Sequence, residues 1–167
     1  MMRIACWMAF LTILTPVKGF GQTFISYLTG NTSDVITSPK GGTCLMGGAT
    51  ESDEAMKWFL DQCSGGDVLI LRTSGSDGYN KYMYKDLGVQ INSVETILCN
   101  AKAASEESYI QKKIMQAEGI WFAGGDQLDY VNYWRDTAID SLINDAVANR
   151  NIAIGGTSAG MAILGGF

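Results

Sequence analysis

The pentapeptide Gly156-Thr157-Ser158-Ala159-Gly160 is the part of the sequence whose residue types and spacing best suit covalent chemistry. It has the form G-x-S-x-G, in which a serine occupies a strained turn between a strand and a helix and its hydroxyl stands clear of the sheet. Bulky residues at positions 156 and 160 would collide with that strand and helix. The N–H of Ala159 would point to where an oxyanion forms, at a helix N-terminus. We therefore predict that Ser158 is a nucleophile; the alternative is a serine that only caps the last helix.

A second glycine-rich segment, Ala123-Gly124-Gly125-Asp126-Gln127, follows another apolar run. The backbone N–H of Gly125, or that of Gly124, could donate the second hydrogen bond to an oxyanion. Gly124 and Gln127 are candidate substrate-binding residues, because Gln127 would begin a helix at the mouth of a crevice and could bind an amide or a carboxylate. The alternative for Gln127 is a solvated residue of the first helical turn. Asp126 is predicted to be the N-cap of that helix rather than a catalytic group.

The elements that must position these motifs alternate between apolar strands and amphipathic helices. The predicted strands lie at residues 43–46, 68–71, 89–98, 120–123 and 151–154. The helix after Asp126 is predicted to be the longest, with an apolar stripe that reaches Ala146. Such alternation predicts an α/β fold, with a parallel sheet that carries helices on both faces.

Three glycine pairs, at 47–48, 124–125 and 155–156, are predicted to end strands of this sheet. Ligands of open α/β sheets bind outside the carboxyl ends of the strands, and glycines there allow a backbone to approach a ligand closely. Each pair alone could be only a tight turn. The three pairs together favour a binding site at this edge.

Residues 1–21 have the layout of a secretory signal peptide, and residues 22–42 are polar and are predicted to be irregular. Arg3 is followed by an apolar run from Ile4 to Leu14, then by Pro16 and small residues, and cleavage before Gln22 fits this pattern. The apolar run is short for a bilayer span, so no stable membrane anchor is expected. The alternatives are a hydrophobic anchor or a buried first helix. The leader predicts a secreted or periplasmic protein.

Composition excludes several classes of function. The 167 residues include no histidine, so neither a serine–histidine pair nor an imidazole zinc site can be built from them alone. The net charge is −5 without a basic run, so no nucleic-acid partner is expected, and neither a metal nor a cofactor is indicated. Outside the leader, Cys44 and Cys99 are predicted to be strand-core residues. A single disulfide among Cys44, Cys63 and Cys99 is left open, because the sequence does not choose a pair.

Together these motifs resemble peptidase family S51, and within it the cyanophycinase branch. The resemblance rests on G-G-D-Q at 124–127, G-G-T-S-A-G at 155–160, the interval between them and the glycines at 47–48, and it covers residues 43–167. It implies a class I glutamine amidotransferase-like, flavodoxin-like fold and a serine hydrolase in which Ser158 matches the nucleophile and Gln127 lines the substrate pocket. It also implies a peptide or polypeptide substrate with aspartyl or isoaspartyl links, such as the β-Asp-Arg units of cyanophycin.

The sequence departs from the family pattern after the serine. The family's catalytic histidine and its acidic partner follow the nucleophile, whereas this sequence ends at Phe167. Residues 43–167 are therefore expected to be an incomplete domain, truncated after the nucleophile elbow, inactive alone and prone to associate. The alternative is a secreted binding module or pseudoenzyme on the same fold; an esterase of the α/β-hydrolase type is a weaker one. The substrate and the oligomeric state stay open.

Overall fold

The described part of the chain is built on one six-stranded sheet. The computed structural model describes residues 23–165, so the predicted signal peptide lies outside it. The strands, in chain order, are β1 Phe24–Gly30, β2 Gly42–Met46, β3 Asp67–Arg72, β4 Ser93–Cys99, β5 Gly119–Phe122 and β6 Ala153–Thr157. Their order across the sheet is β1-β4-β3-β5-β6-β2. Strands β2 to β6 are parallel, as predicted, and β1 pairs with β4 in the antiparallel sense.

Helices cover both faces of the sheet, which confirms the predicted α/β architecture. The helices are α1 Asp53–Gln62, α2 Gly78–Lys81, α3 Ser108–Gln116, α4 Gln127–Trp134, α5 Ala138–Arg150 and α6 Ala159–Ala162. A π-helical turn, Tyr82–Asp86, extends α2, and a 3-10 turn, Lys102–Glu106, precedes α3. Side chains of α1 and of the π-helical turn pack on one face in one apolar cluster, and those of α3, α4 and α5 pack on the other. The central strands β3 and β5 are apolar runs because they are buried on both faces, whereas β2 at the edge of the sheet has exposed residues.

The prediction that residues 22–42 are irregular is wrong for the first part of that segment. Residues 24–30 form β1, in register with β4 from Phe24 opposite Cys99 to Gly30 opposite Ser93. An edge strand with one solvent-facing side has no continuous apolar run, and the side chains of Ile25 and Leu28 in β1 are exposed. The pattern that identified the central strands was therefore absent here.

The single long helix predicted after Asp126 is two helices. The first ends at Trp134, and the second begins at Ala138 with Thr137 as its N-cap. Asp136 lies between them with a φ of 57°, a left-handed conformation that no α-helix can continue through. The apolar stripe passes across the break because both helices bury their apolar sides on the same face of the sheet. Hydrophobic periodicity alone therefore predicted one helix where the structure has α4 and α5.

The glycine pair Gly155-Gly156 lies inside β6 rather than beyond its end, because the strand continues to Thr157. A Cβ atom on Gly155 would lie 2.6 Å from a ring carbon of Trp121 and 2.7 Å from the carbonyl oxygen of Cys44. Trp121 is fully buried in the neighbouring strand. Gly155 is thus required by the packing of that indole, and only the other two glycine pairs follow strand ends.

The cysteines described by the structure are core residues. Cys44 in β2 and Cys99 in β4 are buried, which confirms their prediction, and Cys63 beyond α1 is buried too. All three are free thiols. Burial raises the pKa of each, to about 12 for Cys99. Over residues 23–165, no helix has the length and apolar character needed to cross a bilayer.

Candidate active site

Ser158 stands at the carboxyl end of β6 in the conformation expected of a nucleophile elbow. Its φ of 53° and ψ of −120° lie outside the regions that L-residues favour, a strain of about 1–3 kcal/mol. The backbone N–H of Ser158 donates to the carbonyl oxygen of Met46, 3.0 Å away, which ties the turn to the end of β2. The side chain is exposed and makes no capping hydrogen bond to α6. The hydroxyl is therefore available to a ligand instead of serving the helix.

The glycines around Ser158 are required by close backbone packing, as the motif predicts. A Cβ atom on Gly156 would lie 2.5 Å from the carbonyl oxygen of Gly160. A Cβ atom on Gly160 would collide with the carbonyl oxygens of Phe122 and Ala123 at the end of β5. The first helical turn therefore sits directly against two strands, and this contact fixes the turn that carries the serine.

Two of the predicted glycine pairs meet at the serine. A Cβ atom on Gly48, after β2, would lie 3.3 Å from the Cβ atom of Ser158 and 3.6 Å from its Oγ. A Cβ atom on Gly124, after β5, would lie 3.6 Å from the same Cβ atom. The space beside the hydroxyl is open because neither residue has a side chain. A substrate carbonyl could approach Ser158 through this space.

The predicted oxyanion donors occupy different places around the serine. Ala159 is buried directly after it, as the first residue of α6. Gly125 is exposed and faces the end of β3, since a Cβ atom on it would lie 3.6 Å from Oγ of Ser74 and 3.7 Å from Oγ1 of Thr73. Gly124 is thus the member of its pair nearer to Ser158, and Gly125 extends the crevice toward β3.

The start of α4 forms the rim of the crevice. Asp126 is the N-cap, as predicted, and its carboxylate accepts a hydrogen bond of 2.8 Å from the N–H of Leu128. Gln127 is the first residue of the helix, is exposed, and has no side-chain hydrogen bond to another residue of the described chain. It is placed where a substrate-binding amide is expected, and its role stays a prediction.

Sequence reasoning missed the contribution of β3 to this edge of the sheet. Thr73 follows β3, is 5% exposed, and its Oγ1 has no hydrogen-bond partner in the described structure. Tyr130 on α4 donates a 2.7 Å hydrogen bond to the carbonyl oxygen of Ala123 and so holds the β5–α4 connection. Burial raises the pKa of Tyr130, so it stays a neutral donor. The available signal was the polar run Arg72-Thr73-Ser74 directly after an apolar strand.

The described residues do not complete a catalytic set. The whole sequence lacks histidine, so none can accept the proton of Ser158 within this chain. Residues 23–165 hold no cluster of three or more acidic or cysteine side chains that could bind a metal ion. The site consists of an exposed serine, backbone donors and a polar rim.

Comparison with known proteins places the chain in a family. The model of peptidase family S51 matches residues 44–166. A cyanophycinase of Trichormus variabilis (strain ATCC 29413 / PCC 7937) is 26% identical over 83 residues, 50% of this chain and 27% of that protein. A cyanophycinase of Synechococcus elongatus is 30% identical over 83 residues, 50% of this chain and 25% of that protein. The matched segment is therefore only about a quarter of each relative.

A solved structure shares the fold. The crystal structure of a peptidase from an acI-B1 Actinobacterium superposes with a TM-score of 0.60 at 16% identity, over 74% of this chain and 56% of that chain. At this identity the likeness concerns the fold alone. The family match extends from β2 past the serine turn, through every element that forms the crevice. The chain belongs to peptidase family S51, in which it is similar to the cyanophycinases.

Proposed function

We propose that the protein is a serine peptidase in which Ser158 forms an acyl-enzyme. The observation that supports this most strongly is the exposed, strained serine between the side-chain-free positions Gly48 and Gly124. Strained backbone of this kind persists where the surrounding structure enforces it, and it concentrates at functional sites. Membership in a peptidase family supports the same reaction class.

In the proposed reaction, Ser158 Oγ attacks the scissile carbonyl carbon and its proton passes to a histidine, which we propose lies beyond residue 167. The negative charge moves to the carbonyl oxygen, where the N–H groups of Ala159 and of Gly125 or Gly124 stabilise it. The C–N bond then breaks and the histidine returns the proton to the leaving amine. Water, deprotonated by the same histidine, hydrolyses the ester and restores Ser158.

We propose peptides with aspartyl or isoaspartyl links as substrates, with cyanophycin-like polymers among them. The support is the similarity to two cyanophycinases and the position of Gln127 at the rim of the crevice. The exposed amide of Gln127 can both donate and accept hydrogen bonds, which suits a peptide group or a carboxylate.

Turnover of such a polymer by the complete protein tests this proposal. Release of β-Asp-Arg is followed by chromatography for the wild type, for Ser158→Ala and for the control Ser108→Ala. Ser108 is an exposed serine at the start of α3, the helix that packs with α5. We expect activity to vanish only in Ser158→Ala. Retained activity in that variant contradicts the assignment of the nucleophile.

The absence of histidine from all 167 residues favours one alternative, a secreted binding module that keeps the crevice without catalysis. A reading frame that continues past codon 167 into a histidine-containing segment supports the peptidase. A stop codon at that point, together with substrate binding but no turnover, supports the binding module.

A further inference from the structure

A cavity of about 290 Å³ lies at the same edge of the sheet as Ser158, between the starts of α1 and α2. Its wall includes Glu51 and Asp53 from the start of α1, Arg72 from the end of β3, and Tyr79 and Tyr82 from the α2 segment. This volume is enough for one amino-acid residue. No part of the proposed reaction uses these side chains.

The connection from β2 to α1 joins this cavity to the serine. Gly48, at one end of the connection, lies against Ser158, and Glu51, three residues later, lines the cavity. Across the sheet, β3 is two strands from β6, about 10 Å at the usual strand spacing. A substrate residue next to the scissile bond can therefore reach the cavity while the carbonyl group of its neighbour lies at the hydroxyl of Ser158.

Arg72 is the cation of this cavity, and backbone groups hold it in place. Its Nε donates to the carbonyl oxygen of Ser74, and its Nη1 donates to that of Ser76 at 2.6 Å. The loop can fold around the guanidinium because Gly75 between them has no side chain and a φ of +92°. Carbonyl oxygens orient the guanidinium without neutralising its charge. Two of its five N–H donors are used in this way, and the others are left for a ligand.

The acidic side chains of the cavity have partners other than Arg72. Tyr79 donates its hydroxyl to Glu51, and Tyr82 donates to Asp53 at 2.6 Å. Burial and these hydrogen bonds raise the pKa of both phenols, so the tyrosines stay neutral donors at physiological pH. Across residues 23–165, Arg72 forms no ion pair with any carboxylate. The half-buried, oriented guanidinium therefore keeps N–H groups that donate to no carboxylate of the described chain, although Glu51 and Asp53 line the same cavity.

We propose that Arg72 binds a carboxylate of the substrate, on a residue adjacent to the scissile bond, and so determines the preference for acidic peptides. A planar guanidinium binds a carboxylate through two parallel hydrogen bonds, which a lysine cannot reproduce. The inference rests on the proposed peptidase function, because the bound carboxylate is taken to belong to a peptide substrate, but the binding itself requires no turnover. It assigns to β3 a part in substrate selection.

Calorimetric titration of the complete protein tests the proposal, in a Ser158→Ala background that prevents turnover. The probes are β-aspartyl-glycine and β-aspartyl-glycinamide, so that only the carboxylate of the residue next to the aspartyl group is converted to an amide. We expect the carboxylate form to bind at least about tenfold more tightly than the amide. Arg72→Gln should remove that difference, and Arg72→Lys should restore only part of it.

The matched control is Arg135→Gln, which removes an arginine that is exposed at the end of α4. It should leave both affinities unchanged, and unchanged circular dichroism should show that the Arg72 variants are folded. Equal binding of the two probes by the parent protein overturns the proposal, as does a carboxylate preference that survives Arg72→Gln. Since no outcome depends on catalysis, failure here is distinct from failure of the peptidase assignment, which Ser158 decides.

Discussion

Replacing Gly156 by alanine tests whether close packing fixes the serine turn. The added Cβ atom would lie 2.5 Å from the carbonyl oxygen of Gly160 and 2.9 Å from the backbone nitrogen of Met161. Because both contacts are with backbone, no side-chain rotation relieves them, and the turn must move away from β6. The expected cost of overpacking is about 1–3 kcal/mol. The reduced entropy of the unfolded chain offsets about 0.4–1 kcal/mol of this.

The net expectation for Gly156→Ala is a loss of about 1–2 kcal/mol in the free energy of unfolding. For a domain of this size, that corresponds to a fall of about 2–8 °C in Tm. Thermal and urea unfolding followed by far-ultraviolet circular dichroism measure it. The displaced turn should also lower the rate at which Ser158 reacts with a phosphonate.

Gly47→Ala is the matched control, because a Cβ atom there meets nothing within 4 Å and its φ is not left-handed. Its stability should equal or slightly exceed that of the wild type. If Gly156→Ala were as stable as Gly47→Ala and reacted as fast with the phosphonate, packing would not be what holds the elbow.

Three further predictions concern the α4 cap, a buried carboxyl group and the leader. Asp126→Ala should lower the free energy of unfolding by about 1 kcal/mol, since the N–H of Leu128 loses its acceptor, and urea unfolding measures this. Burial is the main cause that raises the pKa of the Glu118 carboxyl group above its usual value of 4.5. The folded protein should therefore lose stability as the pH rises from 4.5 through the raised pKa, because the buried carboxyl group must then ionise. Glu118→Gln should remove this loss, so its melting temperature should exceed that of the wild type by more at pH 7 than at pH 4; a constant difference contradicts the assignment. Mass spectrometry of exported protein should find Gln22 at the N-terminus, whereas retention of residues 1–21 contradicts the signal peptide.

Local sequence patterns were enough to predict the central part of the fold. Strands such as β3 and β5 are apolar runs bounded by polar or glycine residues, and burial on both faces produces that pattern. The serine turn was predictable for a similar reason, because close backbone packing imposes small residues at fixed positions around Ser158. Each of these signals lies within a few neighbouring residues.

The features that escaped prediction depend on contacts distant in sequence. Strand β1 has no continuous apolar run, because its place at the edge of the sheet leaves part of it exposed. The placement of Arg72 and Thr73 at the same edge of the sheet as Ser158 depends on β3 lying beside β5, which no local pattern specifies. The sequence pattern predicts a strand end at Gly155, although the ring of Trp121 requires a glycine there. Such requirements become visible only when the strands are placed side by side.

Labelling of the complete protein with a fluorophosphonate, followed by peptide mass spectrometry, tests the central proposal most directly. The reagent modifies serines whose hydroxyl is activated and beside an oxyanion site. We predict stoichiometric modification of Ser158 alone, and none in Ser158→Ala. An unmodified Ser158 in protein that cleaves its peptide substrate would contradict the proposal, as would modification of a different serine that accompanies loss of activity.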